Sequence, residues 1–133
     1  MPLATQQVGG ETVILSKKLE AAIGPHLVVV EGANPGGAAL PGGADVNFMG
    51  VTLEDGALGE YRPIAVDGGI VRITASAAIA RGAEVSIANV AGQIKTSAPG
   101  AGINSVVVGI AQDAAAALGD IIGVILTRYS KQG

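Results

Sequence analysis

The side chains that most often carry chemistry are few in this sequence and stand apart from one another. His26 is the only histidine and there is no cysteine, so neither the second imidazole nor the thiolate of a zinc site is at hand. A serine nucleophile would have to share that one histidine. Ser16, Ser76, Ser86, Ser97, Ser105 and Ser130 also lack the strand–turn–helix setting that exposes a nucleophile. His26 follows Gly24-Pro25 at the head of an apolar run and reads as structural or solvent-facing. Glu54 and Asp55 are adjacent acids in a turn, without the ligand spacing of a calcium loop. Lys95 stands beside an expected hairpin and raises the idea of a lipoyl-type carrier. Such carriers show the modified lysine at a tip between acidic and Met-like neighbours, and Gln93-Ile94-Lys95-Thr96 does not fit. Residues 32–45 are rich in Gly and Pro, yet they lack the G-x-x-x-x-G-K-[ST] order and following helix of a phosphate cradle. No catalytic, cofactor-binding or metal site is expected. The chain reads as a non-enzyme without a small-molecule substrate.

The most organised feature is a stretch written twice. Residues 48–66 and residues 107–125 both run apolar–Gly–apolar, then acidic, then Ala-Leu-Gly-[Glu/Asp], then apolar again. Gly50 matches Gly109, and Gly59-Glu60 matches Gly119-Asp120 once one residue is inserted. Glu60 and Asp120, the natural candidates for paired acids, read instead as residues at which strands begin.

The elements that frame these stretches are short and β-rich. Residues 13–15 form a strand followed by a turn or a single helical turn, and residues 26–31 a β-branched strand between Gly-Pro and Gly. Residues 32–45 should be a loop, since Gly, Pro and Asn favour turns and disfavour a ladder. Residues 61–66 and 70–74 flank Asp67-Gly68-Gly69, a hairpin signal, and residues 84–89 and 93–96 form a second hairpin. Residues 75–82 are too short for an independent helix, and residues 113–118 read as a brief helical or coiled link before a last strand near residues 121–128. Eight or nine short strands with turn chemistry between them suggest a small all-β barrel or a sandwich-like domain.

Composition narrows the partners. Glycine numbers 21 and aromatics make up 2% of the chain. Small side chains bury little area at roughly 25 cal/mol per Å², so the core is thin and pairing between subunits is expected. A formal net charge of -3 with scattered cations gives no footprint for nucleic acid. The longest apolar stretch, residues 106–126, is broken by Gln112, Asp113 and Asp120 and cannot cross a bilayer. Residues 1–10 lack the basic flank and apolar segment of a signal peptide, so synthesis in a cytoplasm is expected. Residues 1–12, with Gly9-Gly10, read as an arm on a glycine hinge.

The order of motifs Ala75-Ser-Ala-Ala-Ile79-Ala-Arg-Gly82-Ala-Glu-Val85, then Gly92-Gln-Ile94, then Val108-Gly-Ile-Ala111 and Gly119-Asp120 resembles the capsid cement or head decoration proteins of tailed phages over roughly residues 46–128. The resemblance implies an all-β fold: a small β-barrel-like (β-tulip) domain over residues 13–133 with short helical links, and a flexible arm over residues 1–12. It further implies a homotrimer on the outer surface of the expanded capsid, made in the host cytoplasm, that clamps neighbouring major capsid proteins. The arm would order there by strand addition through Pro2, Leu3, Ala4, Thr5, Gln6, Gln7 and Val8. A tail or spike β-domain of a virion is the alternative.

Overall fold

The computed structural model describes residues 12–133. Ten strands follow one another: β1 (Val13–Leu19), β2 (Val28–Glu31), β3 (Gly37–Ala39), β4 (Gly50–Thr52), β5 (Tyr61–Asp67), β6 (Ile70–Thr74), β7 (Glu84–Ile87), β8 (Ile94–Thr96), β9 (Asn104–Ala111) and β10 (Ile121–Gln132). The first five close into a barrel in the order β1-β3-β2-β4-β5, and the last five form a sheet in the order β6-β10-β9-β7-β8.

The all-β expectation holds, and the helical links do not. Among the described residues no helix forms. A half-dozen residues cannot offset helix nucleation unaided, and here their amides are claimed by other groups. The Asp120 carboxylate accepts from Ala116 N at 2.7 Å and Ala117 N at 3.1 Å, while Ala115 and Ile79 exchange backbone bonds of 2.9 Å.

Two further expectations are corrected. Strand β3 lies inside the stretch read as pure loop. Its turn is held from a distance: the Glu20 carboxylate accepts from Ala33 N at 2.8 Å and Asn34 N at 2.9 Å. The Asp67-Gly68-Gly69 turn joins no hairpin either. β5 pairs with β1 and β4, and β6 pairs with β10, so this turn carries the chain from one sheet to the next. The expected hairpin β7–β8 is present.

The two halves repeat one topology. Strands β1 to β5 correspond in turn to β6 to β10, with each antiparallel pairing reproduced. The parallel contact of β1 with β3 shrinks in the second half to a single bridge between Ala75 and Ile94. The duplicated stretch is the most visible part of this repeat. Gly50 and Gly109 take equivalent places on β4 and β9, where a Cβ would run into the carbonyl oxygen of Ala65 or Ile125 on the next strand. The two cores differ. A smaller cluster fills the first barrel, from Leu19, Ile23, Val29, Ala38, Met49 and Ile64. A larger one fills the second sheet and also takes in Val28, Phe48, Val51 and Ala65 from the first barrel, which welds the halves together.

Candidate interaction surface

Residue 45 is where the first half grips the second. Asp45 stands in the left-handed region, at φ 60°. Its N–H donates to the Ile87 carbonyl at 2.9 Å, and its carbonyl accepts from Val106 N at 3.3 Å. Its side chain accepts from Ser86 Oγ at 2.9 Å, Ser105 Oγ at 2.8 Å and Lys95 Nζ at 3.0 Å. Burial works against the charged form. The bonds from Ser105, Lys95 and Ser86, with the Lys95 charge, outweigh it and hold the carboxyl below its ordinary value. A carboxylate so satisfied is a weak base, so this cluster is a latch. The signal available in sequence was two serines inside apolar strand runs, at Val85-Ser86-Ile87 and Ser105-Val106. Close by, the Arg128 guanidinium lies 4.4 Å over the Phe48 ring and donates to the Phe48 carbonyl.

The repeated loops present a second feature. Glu60 Oε1 accepts from Ala57 N at 2.7 Å, as Asp120 does from Ala116 and Ala117. Gly59 and Gly119 take φ values of 88° and 94°, which glycine adopts without strain. Each loop, pinned by its own acid, holds a leucine out in solvent: Leu58 is 69% exposed and Leu118 is 67% exposed. Glu60 and Asp120 therefore do more than begin strands.

The third feature is an opening in the first barrel. Leu15, Lys17, Glu31 and Val66 help line a cleft of about 620 Å³ together with Met49 and Arg128. By strand register their counterparts in the second sheet are Val71, Ile73, Ile87 and Leu126, all of them buried. Where the second half packs aliphatic side chains, the first offers a lysine, a glutamate and a half-exposed leucine.

The family comparison covers nearly all of this structure, with phage cement protein matching residues 7–127. The chain belongs to the phage cement protein family. That makes it a structural protein of the phage virion. A comparison with curated proteins finds no match. Among solved structures, the head fiber gp8.5 N base of bacteriophage phi29 is similar in fold, with a TM-score of 0.69 at 11% identity over 92% of this chain and 100% of that one.

Other residues singled out by sequence find structural places in this cement-family chain. His26 takes φ 63° at a position where the second half has Gly82. Its N–H donates to the Thr52 carbonyl, and its carbonyl accepts from Thr74 N, both at 2.9 Å, so its main chain ties the two sheets together. Glu54 and Asp55 are exposed in the β4–β5 loop. Among the described residues no three His, Asp or Glu side chains gather as metal ligands would. Pro2, Leu3, Ala4, Thr5, Gln6, Gln7 and Val8 lie outside the described residues.

Proposed function

We propose that this cement protein binds the outer surface of an assembled phage head as a homotrimer, without catalysis, and clamps neighbouring major capsid proteins, with Pro2 to Val8 in the contact. Membership of the cement family over residues 7–127 carries the reading. The rigidly held, exposed Leu58 and Leu118 support it, because two apolar projections on one chain suit a partner that repeats. Several modest contacts then combine through effective concentration, and trimerisation multiplies them again.

Purified protein mixed with expanded, undecorated shells should co-sediment with them and raise their resistance to heat. Shells that stay bare would sink the reading. Sedimentation at rising concentration checks the trimer, and a monomer both free and on the shell would remove that part. The fold shared with a head fiber base favours one second reading, a virion β-domain that carries an appendage. Electron microscopy of the labelled protein on the particle separates a clamp between subunits from a stalk base.

A further inference from the structure

One row of side chains crosses each half at the same register. In the first half it runs Val28, Val51, Ala65 and Ile14 over β2, β4, β5 and β1. In the second it runs Glu84, Ile110, Ile125 and Ile70 over β7, β9, β10 and β6. Val28, Val51 and Ala65 are fully buried, because the first half lays them against the second as part of the shared core. Among the described residues no third unit follows to cover the equivalent row of the second half. Its Ile70 is 54% exposed and its Ile125 38% exposed, with Ile110 half-buried beside them.

Alternation along β10 explains this face. Ile122, Val124 and Leu126 belong to the core, so Ile121, Gly123 and Ile125 point outward, and Ile121 is 45% exposed. A sheet face that meets only water is ordinarily polar, and this one presents isoleucines. Its flanks carry opposite charge. Arg72 on β6 stands opposite Gly123. On the β9 side of β10, the Asp113 carboxylate accepts from Gly123 N at 3.0 Å. A Cβ at Gly123 would come within 3.1 Å of that carboxylate and 3.2 Å of the Ile70 side chain, so the glycine keeps the surface low between the two charges. Arg72 and Asp113 are exposed, and among the described residues neither forms an ion pair.

We propose that a second copy of this chain docks on the exterior face of β6, β10 and β9. Two features select that occupant. The row repeats one that already packs against a unit of this fold, and its flanking charges are self-complementary. Rotating copies about an axis along β10 brings the Arg72 flank of one against the Asp113 flank of the next, with Ile121 and Ile125 between them. Closed symmetry of this kind is how identical subunits most often assemble. The number of copies rests on the homotrimer reading. The face itself serves a pair or a ring of three, and attachment to the shell takes no part in it.

Sedimentation of the full chain without shells tests it. The wild type should associate as concentration rises. Ile125→Lys should weaken that association by about tenfold or more, since like charges then meet inside an apolar contact. Val90→Lys, at a site 60% exposed in the β7–β8 turn, should leave it unchanged, and matching denaturation midpoints show that each variant is folded. Arg72→Asp should weaken association, and Arg72→Asp combined with Asp113→Arg should restore it. The proposal is overturned by a chain that stays monomeric, by Ile125→Lys associating as well as the wild type, or by a double swap no better than Arg72→Asp alone. Trimers that form only on the shell also overturn it and leave the homotrimer reading standing. Association in pairs upholds the face and removes the trimer.

Discussion

The two halves of this chain share a strand order and differ in what fills them. Ile73 and Ile87 are buried in the second sheet where the first barrel has Lys17 and Glu31, and the second core also takes four side chains from the first half. Among the described residues the first barrel is thinner, has a cleft at one end and is apolar on the outside of β1. A duplicated fold can keep its hydrogen-bond ladder while its interiors diverge, because the ladder needs only backbone and the interior needs matched volumes. The second half then serves as the stable body.

The largest test of that contrast is truncation. Ile73→Ala should destabilise by about 2–5 kcal/mol in chemical denaturation, as expected for a fully buried residue in a well-packed core. Leu15→Ala on the matching face of the first barrel should cost less than about 1 kcal/mol, and equal losses would break the comparison. Next comes the latch between the halves. Asp45→Ala should cost about 1.5–3 kcal/mol near neutral pH, the range for hydrogen bonds to a charged group. The Asp45 carboxyl is held below its ordinary value in the folded chain. Its contribution is therefore fully present above the unfolded pKa, near 4, and is lost as pH falls through the lower, folded value. Denaturation midpoints of the wild type should drop across that acid window, and those of Asp45→Ala should drop less.

A third test concerns an extension that the first barrel lacks. β5 runs on into the second half, whereas β10 continues past its pairing with β6 and stays paired with Asn104 to Val107 of β9. Tyr129 donates to the Glu84 carboxylate, and Lys131 reaches the same group at 2.6 Å. Burial, together with that carboxylate, pushes the Tyr129 hydroxyl up to about 12. Absorbance titration should show one tyrosine ionising near that value, and Glu84→Gln should bring it back toward 10. The smallest effect is expected at the tips. Leu58→Ser and Leu118→Ser should change stability by no more than about 0.5 kcal/mol, as surface sites do, while weakening attachment to shells. A large stability loss there would make the leucines structural and remove them from the contact surface.

Parts of this were legible from residues alone. Strands β7, β8 and β9 and the start of β10 follow from β-branched runs between turn residues, and the duplicated Ala-Leu-Gly-acid loop announced the repeat. Asp67-Gly68-Gly69 misled, because a Gly-rich turn between two strands signals a local hairpin, and here both strands find better partners elsewhere. β3 was hidden by its own composition. Gly37 and Ala38 look like loop, yet Gly37 is the size that leaves room for the Glu20 carboxylate.

What the amino-acid sequence determined by itself was local: the β class, the turns, the pinned leucine loops, and the scarcity of catalytic side chains. The tertiary structure alone decided that, among the described residues, ten strands divide into two matching halves and that the second is sealed by a loop of the first. The reason is distance along the chain. Asp45 meets Ser86, Lys95 and Ser105 across 41, 50 and 60 residues. No pattern of neighbours along the sequence encodes which carboxylate will find which hydroxyl once the two halves pack together.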